Sequence, residues 1–311
     1  MPKLFLTYEQ QLNKLSSEKG LAIPNLAYAK QCLQDLSYYA LINGYKDLFK
    51  HGPSGNFLHN VTFEEIVTFY YFDESLRTLF FKYILHIEKR IKSLLSYHFC
   101  EKYGEQQSEY LNIKNYNLSS KNKVQIQRLV NTLQNTISLP SHYPYISHYI
   151  THHNNVPLWV IMKALTLGNV SAMYQYCTSD VRTKISKDYR SLSENQLHQC
   201  IRLLANCRNI CAHGERLYCF YSREAGPDMP LHQKLGIQKK NNEYVQGKHD
   251  LFAVVIALRY LTRNEEFKEF KRALQKVLKA VQKSCPHLSY TQLLLQMGFP
   301  EAWNKILRFK T

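Results

Sequence analysis

The sequence is poor in residues that interrupt regular structure. Its 311 residues include only 11 glycines and 10 prolines, a composition compatible with long helices. Acidic residues are also few, because 24 Asp and Glu stand against 40 Lys and Arg and leave a formal net charge of +16. A field of that sign favours polyanionic partners, either nucleic acid or an anionic membrane surface.

Long hydrophobic runs are missing as well. No stretch reaches the roughly 18 consecutive apolar residues that indicate a membrane-spanning helix, and residues 1–11 lack the apolar core of a secretory signal. The eight cysteines do not have the dense spacing of a disulfide scaffold. These features predict a cytoplasmic protein with reduced thiols and no membrane partner.

The spacing of apolar residues predicts an all-α fold. Thr62 and Glu65 have the spacing of a capping box, and an apolar stripe at three- and four-residue steps continues from there towards Tyr103. Within this stretch, Asp73 is predicted to cap the start of a second helix.

Three further helices are indicated downstream. Ser193 and Gln196 form a second capping box. Asp250 has the position of an N-cap, and after a break near Asn264 a last strong helix is predicted to reach about Ser284.

Strand signals are weak. Residues 217–221 and 235–247 are the candidates for a short hairpin, and residues 222–249 are expected to form a long loop.

The chain is expected to divide into three parts. Residues 1–60 are interpreted as an N-terminal helical segment, 61–284 as the main helical domain and 285–311 as a C-terminal helical tail. A polar stretch at about 105–157 is interpreted as an insertion in the main domain.

Arg208 and His213 are the residues that suggest chemistry. Arg208 continues the apolar stripe of its helix, so it needs an anionic partner. Gly214 marks the helix C-terminus, where the negative end of the helix dipole stabilises the imidazolium form of His213. Histidine suits proton transfer, a bidentate Arg stabilises a pentacoordinate phosphate, and Asn209 can orient substrate or histidine. This pattern predicts metal-free cleavage of RNA. The alternative is that the Arg only forms a salt bridge and that the His only lies at a helix C-terminus, because the same spacing often occurs without a catalytic role.

The sequence around Arg208 and His213 resembles that of a known protein family. Arg208-Asn-Ile-Cys-Ala-His-Gly-Glu-Arg-Leu217 resembles the signature of the abortive-infection (Abi) family related to AbiD and AbiF. Further segments follow the same family's pattern in the same order. They are Tyr39-Ala-Leu-Ile-Asn-Gly-Tyr45, Phe72-Asp-Glu-Ser-Leu-Arg77 continuing to Ile87-Glu88, and Pro157-Leu-Trp-Val160 followed by Leu165-Thr-Leu-Gly168.

The resemblance implies a HEPN-like helical bundle with additional N-terminal and inserted helices. It implies a homodimer in which Arg and His from two subunits meet at one cleft, and a toxin-like endoribonuclease for phage defence that needs no metal or cofactor. Some relatives are associated with a small structured RNA.

Individual positions agree with the family pattern to different degrees. Arg77 and Glu88 match it, and they are expected to support Arg208 or substrate from behind, or to form ordinary ion pairs. Gly214 replaces a frequent second His, Tyr218 stands where Trp is common, and Lys163 occupies a position often filled by Glu.

Two basic clusters are candidates for tracking RNA phosphates, with a solvated helix face as the equal alternative. One consists of Lys268, Arg272, Lys276, Lys279 and Lys283 on the helix predicted from about Asn264 to Ser284, here labelled α14, and we call it the α14 stripe. The other consists of Arg182, Lys184, Lys187 and Arg190.

The sequence also allows two other functions. The same fold can hold a structured RNA without cutting it, or serve as a nucleotide-binding helper of a partner enzyme. Zinc binding by Cys207, Cys211, His213 and Cys219 is a weaker alternative, because their spacing is not that of a zinc finger and cysteines on an apolar stripe are commonly buried.

Overall fold

Helices make up nearly all regular structure in the computed structural model, which describes residues 4–52, 55–189 and 192–309. The all-α prediction is therefore confirmed. The α-helices are α1 Tyr8–Asn13, α2 Leu26–Leu36, α3 Tyr38–Tyr45, α4 Phe63–Tyr103, α5 Gln107–Leu111, α6 Lys123–Ser138, α7 Pro144–His153, α8 Leu158–Ile161, α9 Leu167–Tyr176, α10 Ser179–Lys187, α11 Glu194–Ala212, α12 Pro230–Lys234, α13 Leu251–Leu261, α14 Asn264–Ser284 and α15 Tyr290–Gln296.

Shorter elements connect these helices. The only strands in the described parts of the chain, β1 (Lys239–Lys240) and β2 (Glu243–Tyr244), pair antiparallel within the candidate region 235–247. Residues 217–221, the other candidate, form no strand. The remaining turns are a π-helical turn at Lys14–Glu18 and 3₁₀ turns at Asp47–Phe49, Ile113–Asn115, Pro140–His142 and Glu301–Arg308.

Helix α4 is the axis of the fold. It has 41 residues, a length of about 60 Å, and it packs against α3, α8, α10, α11 and α14. The prediction of a new helix at Asp73 is wrong, because Asp73 lies mid-helix on the buried face and its carboxylate binds donors from other segments. The predicted capping box forms only in half: Thr62 accepts the Glu65 N–H at 3.2 Å, but the Glu65 carboxylate contacts His287 Nδ1 at 2.7 Å.

Helix α11 lies between α4, α9 and α13. Asp250 caps α13 as predicted, by accepting the Ala253 N–H at 3.0 Å. Helix α13 is buried along almost all of its length, and α14 packs against α4 with the Phe270 ring centre 5.2 Å from the Phe80 ring centre. This packing fixes the direction of α11 and therefore the place of the Arg208 segment.

Residues 222–249 are more ordered than a long loop. They contain α12 and the β hairpin, and the fully buried His232 contacts the Gly247 carbonyl oxygen at 2.9 Å through Nε2. A buried imidazole needs such partners, so the segment folds around it. None of the helices in the described ranges combines the length and apolar character of a membrane span.

Candidate functional site

The start of α11 is built as its sequence predicts. Ser193 accepts the Gln196 N–H at 3.2 Å, and the Gln196 side chain accepts the Ser193 N–H at 3.0 Å. From this cap Leu197, Ile201 and Leu204 enter the core. The register of this buried stripe turns Arg208 towards α4.

The end of α11 is a Schellman motif. The Glu215 N–H donates to Ile210 O at 3.1 Å and the Gly214 N–H to Cys211 O at 3.4 Å. Gly214 has a φ of +69°, which disfavours a side chain. His213 is the C-cap rather than part of the last turn, and its side chain is exposed. The motif therefore presents the imidazole to solvent at a fixed point.

Arg208 lies half-buried against two residues of α4. Its guanidinium carbon is 5.6 Å from the centre of the Phe81 ring, and its Nε is 3.8 Å from Glu88 Oε2. Neither of these two buried atoms has a hydrogen-bond partner among the described residues, while Glu88 Oε1 pairs with Lys92 at 2.7 Å. Arg208 thus has an anionic neighbour in Glu88, but the distance between the two side chains is too long for a hydrogen bond.

Arg77 does not reach Arg208. Its Nη1 donates to Asp73 Oδ2 at 2.8 Å and to the Glu215 carbonyl oxygen at 3.3 Å. The Tyr45 hydroxyl donates to the same Asp73 oxygen at 2.9 Å. Of the two residues expected to support Arg208, Glu88 contacts it and Arg77 supports the chain that follows His213.

Asp73 is the centre of this buried cluster. Its carboxylate accepts the Tyr218 N–H at 2.7 Å and the Leu217 N–H at 3.0 Å. Burial raises the pKa of Asp73, and the donors from Leu217 and Arg77 counteract that effect in part. Sequence reasoning assigned Asp73 to a helix cap, although a carboxylate on the apolar face of a stripe is a sign of buried partners.

Three adjoining cavities form a trough along the exposed side of α4. The Tyr39 pocket has a volume of about 590 Å³ and shares Tyr70 and Gly214 with the central groove of about 600 Å³. The central groove shares Lys89 with the Trp159 pocket of about 440 Å³. The turn at Gly214 therefore borders two cavities of the trough.

Arg208 contacts one wall residue of the central groove and one of the Trp159 pocket, although it lines neither cavity itself. Phe81 lines the groove and Glu88 lines the pocket, and Arg208 contacts both. No hydrogen bond joins Arg208 to His213 in the portion of the chain that the structure describes, because Arg208 faces α4 and His213 faces solvent. One chain thus presents the two side chains separately, and Asn209 is exposed between them.

A match to a family model shows the family to which the chain belongs. The model of the family described as Abi-like protein matches residues 31–219, more than half of the chain. The chain belongs to the Abi-like protein family. No curated protein and no solved structure gives a significant match.

The trough of this Abi-like protein lies largely within the matched region. Tyr39, Arg77, Glu88, Trp159 and the Arg208 segment all belong to it. Segments that are far apart in the sequence, and that carry the family resemblance, thus line or anchor one feature. Trp159 lines a cavity of the trough, a position that its motif alone did not predict.

The two basic clusters of the Abi-like protein differ in their contacts. The α14 stripe is exposed except for the partly buried Lys268, which pairs with Glu265 at 2.7 Å, and it lies outside the matched region. In the second cluster Arg182 Nη2 donates to Asn195 and Lys184 pairs with Glu101 at 2.9 Å. Lys187 is exposed, and Arg190 lies outside the described residues.

The cysteines near the Arg208 segment pack against the core and are not grouped as metal ligands. Cys207 is fully buried, and burial raises the pKa of its thiol. In the described ranges, no three His, Cys, Asp or Glu side chains are grouped in a way that fits a metal ion. The structure gives the zinc alternative no support.

Proposed function

We propose that this protein is a metal-independent endoribonuclease of the HEPN type that acts in abortive infection as a toxin. Membership of an abortive-infection family supports the defence role. The observation that carries the chemistry is the contact of Arg208 with Phe81 and Glu88, which line two neighbouring cavities. Its buried Nε has no hydrogen-bond partner among the described residues and only a 3.8 Å contact to Glu88. A phosphate at the exposed part of this guanidinium would give it a bidentate anionic acceptor.

In the proposed reaction the ribose 2′-oxygen attacks the adjacent phosphorus. A histidine removes the 2′-hydroxyl proton, the bond from phosphorus to the 5′-oxygen breaks, and a second histidine protonates the leaving oxygen. The products are a 2′,3′-cyclic phosphate and a 5′-hydroxyl. Arg208 stabilises the negative charge of the pentacoordinate transition state, and Asn209 orients the substrate or His213.

One chain offers a single His213, whereas the reaction needs a base and an acid. We therefore assign the complete site to a homodimer in which the exposed ends of two α11 helices meet. Two copies of His213 then supply both proton transfers, and two copies of Arg208 face one phosphate. This arrangement also accounts for the separation of the two side chains within one chain.

A second candidate is a binding module of the same family that holds a structured small RNA without cutting it. The exposed α14 stripe favours this function, because it lies outside the family match and carries charge far along the sequence from Arg208. RNA is the partner under both proposals.

Incubation of the purified protein with total cellular RNA tests the proposal. We expect fragmentation by the natural protein and none by a folded His213→Ala variant, and we expect the same variant to relieve growth inhibition on expression. Fragmentation by His213→Ala at the natural rate would remove His213 from the mechanism.

A further inference from the structure

Trp159 is unusual among the large side chains of its segment. It lies in α8, where Leu158, Val160 and Ile161 are buried, yet 47% of Trp159 is exposed. The indole lines the Trp159 pocket at one end of the trough. An exposed aromatic side chain beside a cavity can stack against a planar ring that enters the cavity.

The other walls of the Trp159 pocket are of two kinds. Leu85 and the buried Met162 give an apolar wall, and the exposed Lys89 and Lys163 stand at its edge. Lys163 Nζ is 4.6 Å from the centre of the Tyr145 ring, which keeps this cation next to aromatic surface. A volume of about 440 Å³ lies within the usual range of small-molecule sites, about 300–1,000 Å³. Apolar and aromatic walls with cations at the rim suit a nucleobase with its phosphates outside.

The pocket is also connected to the candidate catalytic residues. Glu88, which lines it, is the carboxylate beside Arg208, and Lys92 is held on the far side of Glu88 by bonds to Glu88 and to the Leu165 carbonyl oxygen. Glu88 and Lys92 are one helical turn apart, a rise of about 6 Å. A nucleotide in the pocket would therefore be a near neighbour of a phosphate at Arg208.

We propose that the Trp159 pocket binds one unpaired nucleobase of a single-stranded RNA, stacked on the indole, next to the phosphate that Arg208 contacts. This inference rests on the proposed RNA substrate. Bases in a duplex are already stacked and cannot offer a face to the indole, so the pocket selects single-stranded or looped RNA. Lys89 and Lys163 bind the backbone phosphates on either side of that base.

Tryptophan fluorescence gives a direct test. The chain has two tryptophans, and Trp303 is buried, so a change on RNA binding reports on Trp159. The protein carries His213→Ala to prevent cutting and is titrated with a short unstructured RNA and with a duplex of the same length. We expect quenching by the single strand only, and none in a His213→Ala/Trp159→Phe double variant.

Affinity gives the second readout. Trp159→Ala in the His213→Ala protein should weaken single-strand binding about tenfold, since base stacking on an aromatic side chain contributes strongly to such complexes. Trp159→Phe should keep most of the affinity because a ring remains. Unchanged affinity for Trp159→Ala, equal quenching by the duplex, or single-strand binding without quenching would overturn the assignment.

The remaining outcomes separate this inference from the proposed enzyme. Quenching without cleavage by the natural protein supports the pocket and rejects the enzyme. Cleavage without quenching rejects the pocket alone, and failure to bind RNA rejects both. A change of tryptophan emission with protein concentration, in the absence of RNA, would overturn the pocket by placing a second copy of the chain on Trp159.

Discussion

Asp73 Oδ1 accepts the backbone N–H of Tyr218 at 2.7 Å and thereby joins the N-terminal third of α4 to the chain five residues beyond His213. The two residues are 145 positions apart in the sequence. The Tyr218 hydroxyl continues the connection by donating to the Gly44 carbonyl oxygen at 3.0 Å. Because the chain leaves α11 through this anchor, the anchor fixes the position of the turn that carries His213.

The anchor predicts a large difference between two substitutions. Asp73→Asn leaves Arg77 without its charged partner and places an amide among N–H donors, so it should lower the free energy of unfolding by about 3 kcal/mol. Tyr45→Phe removes the donor to Asp73 and a 3.3 Å acceptor of Arg77, and it should cost about 1 kcal/mol. Urea unfolding measures both changes, and equal effects of the two variants would reject Asp73 as the centre of the cluster.

The same anchor gives a kinetic expectation. In the folded Tyr45→Phe protein the His213 turn is held less firmly, so the cleavage rate should fall while RNA affinity stays the same. Single-turnover cleavage and equilibrium binding separate the two quantities. A parallel loss of rate and affinity would indicate general damage to the fold.

Asp250 predicts a pH-dependent contribution to stability. Burial raises the pKa of this N-cap carboxyl from 3.8 to about 6. Since the folded state holds the proton more tightly, the contribution is full below pH 4 and is lost as the pH rises to about 6. Asp250→Asn resembles the protonated form, so its stability relative to the natural protein should increase by roughly 2–3 kcal/mol across this window.

Thermal unfolding of both proteins at pH 4.5 and pH 7 tests this expectation. Asp35→Asn, a change of the same kind at an exposed position of α2, is the matched control and should show no such difference. A constant gap between Asp250→Asn and the natural protein at the two pH values would contradict the burial argument.

The sequence predicts local structure where the signal is local. The Ser193 capping box, the Asp250 N-cap and the Gly214 helix end need only neighbouring residues, and all three are confirmed. Asp73 was misassigned because the donors of its hydrogen bonds come from residues 217 and 218, which no local pattern reveals. The apolar periodicity likewise predicted that Arg208 needs an anionic partner, but it did not identify Glu88 as that partner.

The exposure of Trp159 escaped sequence reasoning for a related reason. Apolar neighbours in α8 predict burial for the whole segment, whereas the gap beside α4 leaves the indole open. A cavity between elements depends on how they pack, and a single sequence does not give that distance.

The α14 stripe is expected to add electrostatic affinity for RNA. Changing Lys268, Arg272, Lys276 and Lys279 together to Gln should make the slope of log affinity against log salt shallower by about 2–3, because fewer counterions are released from the RNA. A control with the same loss of charge on an exposed part of the insertion should leave the slope unchanged. Its four substitutions, also to Gln, are at Lys114, Lys121, Lys123 and Arg128. Identical slopes in the two variants would assign the RNA track to another surface.

A site shared by two subunits predicts that inactive subunits lower the cleavage activity of the natural protein. Subunits of the Arg208→Ala/His213→Ala protein, mixed in equal amount with the natural protein and allowed to exchange, should reduce total cleavage to about half, because only dimers of two natural subunits are complete. Independent sites would leave the cleavage unchanged. Sedimentation should show a dimer, and a monomer with full activity would contradict the shared site.

Cleavage of one labelled RNA and of its twin with a 2′-deoxy nucleotide at the scissile position tests the central claim most directly. If the 2′-hydroxyl is the nucleophile, the natural protein leaves a 2′,3′-cyclic phosphate and a 5′-hydroxyl, spares the deoxy twin while binding it equally well, and keeps its rate in excess EDTA. A two-metal nuclease activates water and does not need the 2′-hydroxyl. Mass spectrometry of the fragment ends distinguishes the two mechanisms. EDTA-sensitive cutting of both RNAs would contradict the mechanism, and cutting of neither would favour the RNA-binding module.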